Sequence, residues 1–285
     1  MRFDGVLFDL DGTLLDTLQD LGDSVNRVLA ARGWPIFGLE DYRYFVGEGA
    51  RTLISRALPS GHRDTETINA VLADYRTDYQ QNWNVATRPY DGIPELLAGL
   101  QRRGLVLGIL SNKPHAMTVK CIEGYFPGVP FRALLGQREH VPHKPDPAGA
   151  FESAQLMGVA PERMLYVGDT GTDMLTARAA GMFALGVTWG FRPEAELREH
   201  GADAVVHRPA GVLHLPRARA RSGSGTRRRH RGRSRAAGAC DRVGAGRDRD
   251  RTNSRPAPPP CRADHRPPAH TTPPRRRSNR RGRSR

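Results

Sequence analysis

Two aspartates stand two residues apart in Asp9-Leu10-Asp11-Gly12, directly after the apolar run Val6-Leu7-Phe8. Side chains two positions apart at a strand end share a face, so both carboxylates would reach one crevice. One can then attack an electrophile while the other exchanges a proton with the leaving group. Gly12 would let the backbone turn closely around a ligand. The same residues also suit a plain Asx-type turn, because Asp and Gly favour turns wherever they occur. Two further polar clusters end apolar runs. Ser111-Asn112-Lys113-Pro114 follows Leu105–Leu110, and Gly168-Asp169-Thr170-Gly171-Thr172-Asp173 follows Met164–Val167. Lys144-Pro145 precedes a helical stretch. Taken singly, Ser111 suits a helix cap, Lys144 a solvated surface and Asp173 the first turn of a helix. Taken together they supply a nucleophile, a proton donor and positive charge, which is what phosphoryl transfer needs.

These clusters need a frame that brings strand ends together. Strand-like runs near 6–8, 105–110, 131–135, 164–167, 183–188 and 203–206 alternate with helical stretches at 93–103, 115–123, 147–157 and 172–180. That alternation predicts right-handed crossovers and an α/β, Rossmann-like parallel sheet covered on both faces. Reactive loops in such sheets lie at the carboxyl ends of the strands. Residues 16–33, 39–58 and 64–83 read as helical, with no strand signal between them. The expected organisation is a core of 1–16 plus 86–215, interrupted by a helical cap at 17–85.

The string Asp9-Leu-Asp-Gly-Thr-Leu-Leu-Asp16 resembles the first signature of the haloacid-dehalogenase superfamily. Ser111, Lys144-Pro145 and Gly168-Asp169-Thr-Gly-Thr-Asp173 follow in the order of that family's remaining signatures, so the resemblance spans about residues 2–215. It implies that Asp9 attacks phosphorus and becomes an aspartyl phosphate. Asp11 would protonate the leaving oxygen and then activate water. Ser111 would hydrogen-bond a phosphoryl oxygen, and Lys144 would hold Asp9 and offset charge. The implied cofactor is Mg²⁺, bound by Asp9, the Asp11 carbonyl and Asp169 and supported by Asp173, which suits its preference for oxygen ligands.

The helical insert resembles the cap of one branch of the family. Within it, Val46-Gly47-Glu48-Gly49-Ala-Arg51-Thr-Leu-Ile54 looks like the substrate loop of phosphoglycolate phosphatases, as does Ser111-Asn112-Lys113-Pro114. This implies that Gly47, Gly49, Arg51, Asn112 and Lys113 contact a small phosphorylated metabolite, with 2-phosphoglycolate leading. A plain loop with a solvated Arg51 is the competing reading. Sugar phosphates, nucleotides, pyrophosphate and a sugar-phosphate mutase remain alternatives. A dehalogenase would not need the acid/base Asp11. An imine-forming phosphonate hydrolase would need a cap lysine, and residues 17–88 contain none.

Composition divides the chain. Twenty-three arginines against four aspartates give residues 217–285 a charge of +19, so the overall +14 leaves −5 for residues 1–216. The segment 217–285 has no Leu, Ile, Met, Phe, Tyr or Trp, which predicts disorder over about 216–285. Such a tail would bind nucleic acid nonspecifically. The absence of lysine and of stacking aromatics, with the abrupt change near residue 215, favours instead a shifted reading frame. Three cysteines without metal spacing argue against a disulfide scaffold. No apolar run reaches the ~18 residues a membrane span requires. A strand begins too near the N-terminus for a signal peptide, so the expected location is the cytoplasm.

Overall fold

A computed structural model describes residues 3–215. The expectations of disorder, nucleic-acid binding and a shifted frame beyond residue 215 lie outside the described residues.

Six parallel strands form the sheet: β1 (Gly5–Phe8), β4 (Val106–Pro114), β5 (Phe131–Gln137), β6 (Met164–Gly168), β7 (Phe183–Val187) and β8 (Ala204–Val206). Their order is β5-β4-β1-β6-β7-β8. All four residues of β1 are buried, because helices cover both faces. Val6 and Phe8 point toward α5 (Ile93–Arg102) and α6 (His115–Tyr125), where they meet Leu96, Leu97 and Ile122. Leu7 points the other way, toward α7 (Ala148–Met157), α8 (Gly171–Ala179) and α9 (Glu194–Glu199), among Ala150, Met174 and Leu197. This alternation is the period-two geometry of a strand with two buried faces. The terminal α10 (Pro209–Val212) packs on α5, with Leu213 seated over Gly99.

The chain leaves β1 to build one half of the sheet and later returns to β6, on the other side of β1, to build the rest. Loops therefore diverge at the carboxyl end of β1, opening the crevice in which sheets of this kind bind ligands. Cys121 lies in the core, and burial pushes its thiol up to about 11, which makes it inert at neutral pH.

Residues 18–82 form four helices, α1 (Leu18–Ala30), α2 (Leu39–Phe45), α3 (Ala50–Ala57) and α4 (Thr65–Asn82). They share a hydrophobic cluster of their own, built on Leu21, Val25, Tyr42, Ile54, Val71 and Tyr75. At its base, β2 (Leu15–Asp16) pairs antiparallel with β3 (Arg88–Pro89). Asp20 ties the returning chain by accepting from the backbone N–H groups of Ala86 and Thr87, each at 2.8 Å.

Three details depart from the sequence expectations. The stretch 39–58 is two helices, broken at Val46–Gly49, where Gly47 and Gly49 take φ of 119° and 89°. Side chains rarely adopt such values, so glycine permits the break. Strand β4 runs on through Ser111-Asn112-Lys113-Pro114 and holds this segment at the sheet edge of the crevice. The ribbon β2–β3 and helix α9 were not anticipated. Among the described residues, no helix is long and apolar enough to cross a membrane.

Candidate active site

Asp9 directly follows β1, and its backbone N–H donates to the Val167 carbonyl of the neighbouring strand at 2.9 Å. Its carboxylate is buried, with Oδ1 2.9 Å from Lys144 Nζ. Lys144 Nζ also donates to Asp173 Oδ1 at 2.7 Å, so one ammonium bridges the two carboxylates. The other oxygen of Asp173 accepts from Thr170 Oγ1 at 2.7 Å and Thr170 N at 3.0 Å, closing the first turn of α8 as a capping box. Asp169 follows β6 and accepts from Thr13 Oγ1 and Phe191 N, each at 2.8 Å. Thus three buried carboxylates converge from β1, β6 and α8, with oxygens within 4.8 Å of one another.

Glycine makes this convergence possible. Gly12 has φ of 85°, and a Cβ there would overlap Asp169 Oδ2. A Cβ on Gly190 would strike the same oxygen and the Gly12 carbonyl.

One ammonium faces three carboxylates, so full ionisation of the cluster would leave two negative charges uncompensated. Burial pushes Asp9 up to about 7, opposed by Lys144 and reinforced by Asp173. Burial, with the charges of Asp173 and Asp9, also holds Asp169 well above the usual carboxylate range. Burial alone would lower the Lys144 pKa, but Asp173 and Asp9 outweigh it and hold it well above its ordinary value. An all-oxygen donor set with a deficit of two positive charges fits a hard divalent cation. Millimolar Mg²⁺ is therefore expected to raise the melting temperature by on the order of 5–10 °C. Differential scanning fluorimetry with and without EDTA measures this, and Asp169→Asn should remove most of the rise. An equal rise in that variant would place the ion elsewhere.

Asp11 belongs to a different group. Its side chain faces the crevice and accepts from Lys113 Nζ at 2.9 and 3.2 Å. Lys113 also donates to Tyr79 Oη at 2.8 Å, linking β4 to α4 of the helical insert. The ammonium expected to await substrate is thus already paired with Asp11. Ser111 lines the crevice, and its Oγ accepts from Lys113 N at 3.2 Å. Asn112 also borders the crevice, yet its amide is fully engaged in holding the chain. Its Oδ1 accepts from Lys144 N at 2.9 Å, while Nδ2 donates to the carbonyls of Lys144 and Gly47 at 3.2 and 3.1 Å.

Between these groups and the insert lies a cavity of about 160 Å³. Asp9, Asp11, Ser111 and Lys113 form its floor, and Gly47, Gly49 and Ala50 border it from the insert. Arg51 does not join them. It is exposed and donates to Asn69 Oδ1 at 2.6 Å. Ala50 and Leu53 face the cavity, and a residue one step after Ala50 turns about 100° away on a helix. The cavity wall opposite the floor is instead α4, through Tyr75, Arg76, Tyr79 and Gln80. None of these four was singled out from the sequence, although their i, i+4 spacing marks one helical face. Arg192 was missed too. It is buried, donates to the Val46 carbonyl at 2.9 Å and packs over Tyr44, fastening the insert to the core.

Comparison with known proteins matches residues 6–187 to the haloacid dehalogenase-like hydrolase family. A phosphoglycolate phosphatase of Pseudomonas putida is 36% identical over 190 residues, covering 65% of this chain and 70% of that protein. An N-acetylmuramic acid 6-phosphate phosphatase of Pseudomonas aeruginosa is 33% identical over 210 residues, covering 73% and 92%. Among solved structures, a haloacid dehalogenase-like family hydrolase of Streptococcus pneumoniae superposes with a TM-score of 0.67 at 26% identity, covering 74% of this chain and 97% of that one.

Proposed function

We propose that this chain, a phosphatase that belongs to the haloacid dehalogenase-like hydrolase family, acts with Mg²⁺ on a small phosphate monoester through an aspartyl phosphate on Asp9. The observation that carries this reading is the separation of the two carboxylates: Asp9 sits with Lys144 in the buried cluster, and Asp11 faces the cavity beside Lys113. Asp9, held by the Lys144 ammonium and bordering the cavity, is the nucleophile on phosphorus. Ser111 hydrogen-bonds a phosphoryl oxygen, and Lys144 offsets charge on the transferring group. Asp11 protonates the leaving oxygen and then takes a proton from the water that hydrolyses the acyl phosphate. Asp9 and Asp169, with the Asp11 carbonyl, would hold the cation, and Asp173 would support them through Lys144 and Thr170. When bound, the cation lessens repulsion between Asp9 and the phosphate dianion. The insert closes the site against water.

The leading substrate is 2-phosphoglycolate, supported by the relatives that carry that activity in their names. The N-acetylmuramic acid 6-phosphate phosphatase among the relatives makes sugar phosphates the second reading. The test is magnesium-dependent release of free phosphate by the full chain from 2-phosphoglycolate, N-acetylmuramic acid 6-phosphate, nucleotides and pyrophosphate. 2-Phosphoglycolate should have the highest kcat/KM. A folded protein that releases phosphate from the others and not from 2-phosphoglycolate would sink the substrate assignment. Transfer of phosphate to a second sugar hydroxyl would point to a mutase.

A further inference from the structure

The cavity above the floor has two cationic side chains, Lys113 and Arg76. Lys113 is already neutralised by Asp11 and shared with Tyr79. Arg76 faces the same space from α4, exposed at its mouth, and has no carboxylate or hydrogen-bond partner among the described residues. The wall between them is largely apolar, with Leu21, Val46, Leu53 and Met117. Of the neutral polar groups, the Tyr79 hydroxyl accepts from Lys113 and the Asn112 amide is held by backbone groups, while Tyr75, Gln80 and Ser111 also line the cavity. A leaving group in this cavity therefore meets a largely apolar wall, a few neutral polar groups and one unneutralised guanidinium.

We propose that Arg76 is the specificity residue: its guanidinium receives an anionic group, a carboxylate foremost, on the leaving group of a short phosphate monoester. The inference rests on the phosphatase reading above and names the residue that selects among its substrates. Arg76 thereby takes the part expected of Arg51, which is engaged with Asn69 instead. A planar guanidinium matches a carboxylate with two parallel hydrogen bonds, and a neutral leaving group forfeits both.

The experiment compares kcat/KM of the full chain for 2-phosphoglycolate and 4-nitrophenyl phosphate, whose leaving group bears no carboxylate. Arg76→Ala should lower kcat/KM for 2-phosphoglycolate by on the order of 10- to 100-fold, mainly through KM, and leave 4-nitrophenyl phosphate within about twofold. The second ester also reports that the variant is folded. Arg76→Lys should recover part of the loss. Equal effects on both esters, or an unchanged ratio, overturn the proposal. So does a wild-type protein that hydrolyses both esters through Asp9 with no preference for the acidic one, and that result leaves the phosphatase reading intact. A wild-type protein inactive on both overturns the phosphatase reading and the proposal with it.

Discussion

Asp9→Asn should lower the rate of phosphate release at saturating substrate by at least about 10⁴-fold, with the fold retained. The change is nearly isosteric and removes the attacking oxygen together with the negative charge that Asp9 would offer the cation. Circular dichroism and phosphate release on the same preparation check both halves of this expectation. Stability should move in the opposite sense. The folded pKa of Asp9, about 7, lies above its ordinary value of 3.8, so the folded protein binds the extra proton between those limits. Stability of the metal-free wild type should therefore fall as pH rises from about 4 to about 7. An amide in place of this carboxylate cannot ionise, so Asp9→Asn should lose that part of the slope. Urea unfolding in EDTA at pH 5 and pH 8 measures the difference. A variant no better than wild type at pH 8 would show that the buried carboxylate is compensated by a group other than those described.

Lys144→Met has the second large effect, and here stability and activity should fall together. Lys144 is the ammonium between Asp9 and Asp173, and its side chain is almost wholly buried. Removing it leaves three buried carboxylates without their counter-charge, at a cost of about 3–5 kcal/mol in metal-free protein. Activity should fall by about 10³-fold or more, as expected when a charge-stabilising group at the transferring phosphoryl is lost. Denaturant unfolding and steady-state kinetics measure the two. Adding Asp173→Asn removes one of the uncompensated charges and should recover part of the stability without recovering activity. A double variant no more stable than the single one would mean that Lys144 contributes through packing on Tyr166, which lies 5.9 Å beneath it.

The candidate site was legible because its signals are local. Asp9, Ser111 and Asp169 each end an apolar run, and a parallel sheet brings strand ends together by construction. Asp173 falls in the first turn of the helix that starts just after Asp169. Lys144 was placed by the order of signatures alone, since its loop has no periodicity to read. The insert was harder. Helical periodicity in 64–83 reveals that Tyr75 and Tyr79 share a face, but not that this face lies over Asp9. That placement depends on contacts distant in sequence, such as Lys113 with Tyr79 and Arg192 with the Val46 carbonyl. For the same reason Arg51, next to the glycine loop in sequence, points away, while Arg76, twenty-five residues on, lines the cavity. Asn112 read as a substrate ligand because Ser111-Asn112-Lys113-Pro114 resembles phosphoglycolate phosphatases, and only the fold shows that Lys144 and Gly47 hold its amide. The two-residue strands β2 and β3 and the six-residue α9 are too short to carry a period.

Whether Asp9 carries the phosphoryl group is open to direct chemical trapping. The full chain is quenched in acid during magnesium-dependent turnover of 2-phosphoglycolate, reduced with borohydride and mapped by peptide mass spectrometry. Reduction confined to Asp9, and lost in Asp9→Asn, is the predicted result. Modification at another carboxylate, or sustained turnover by Asp9→Asn, would contradict it.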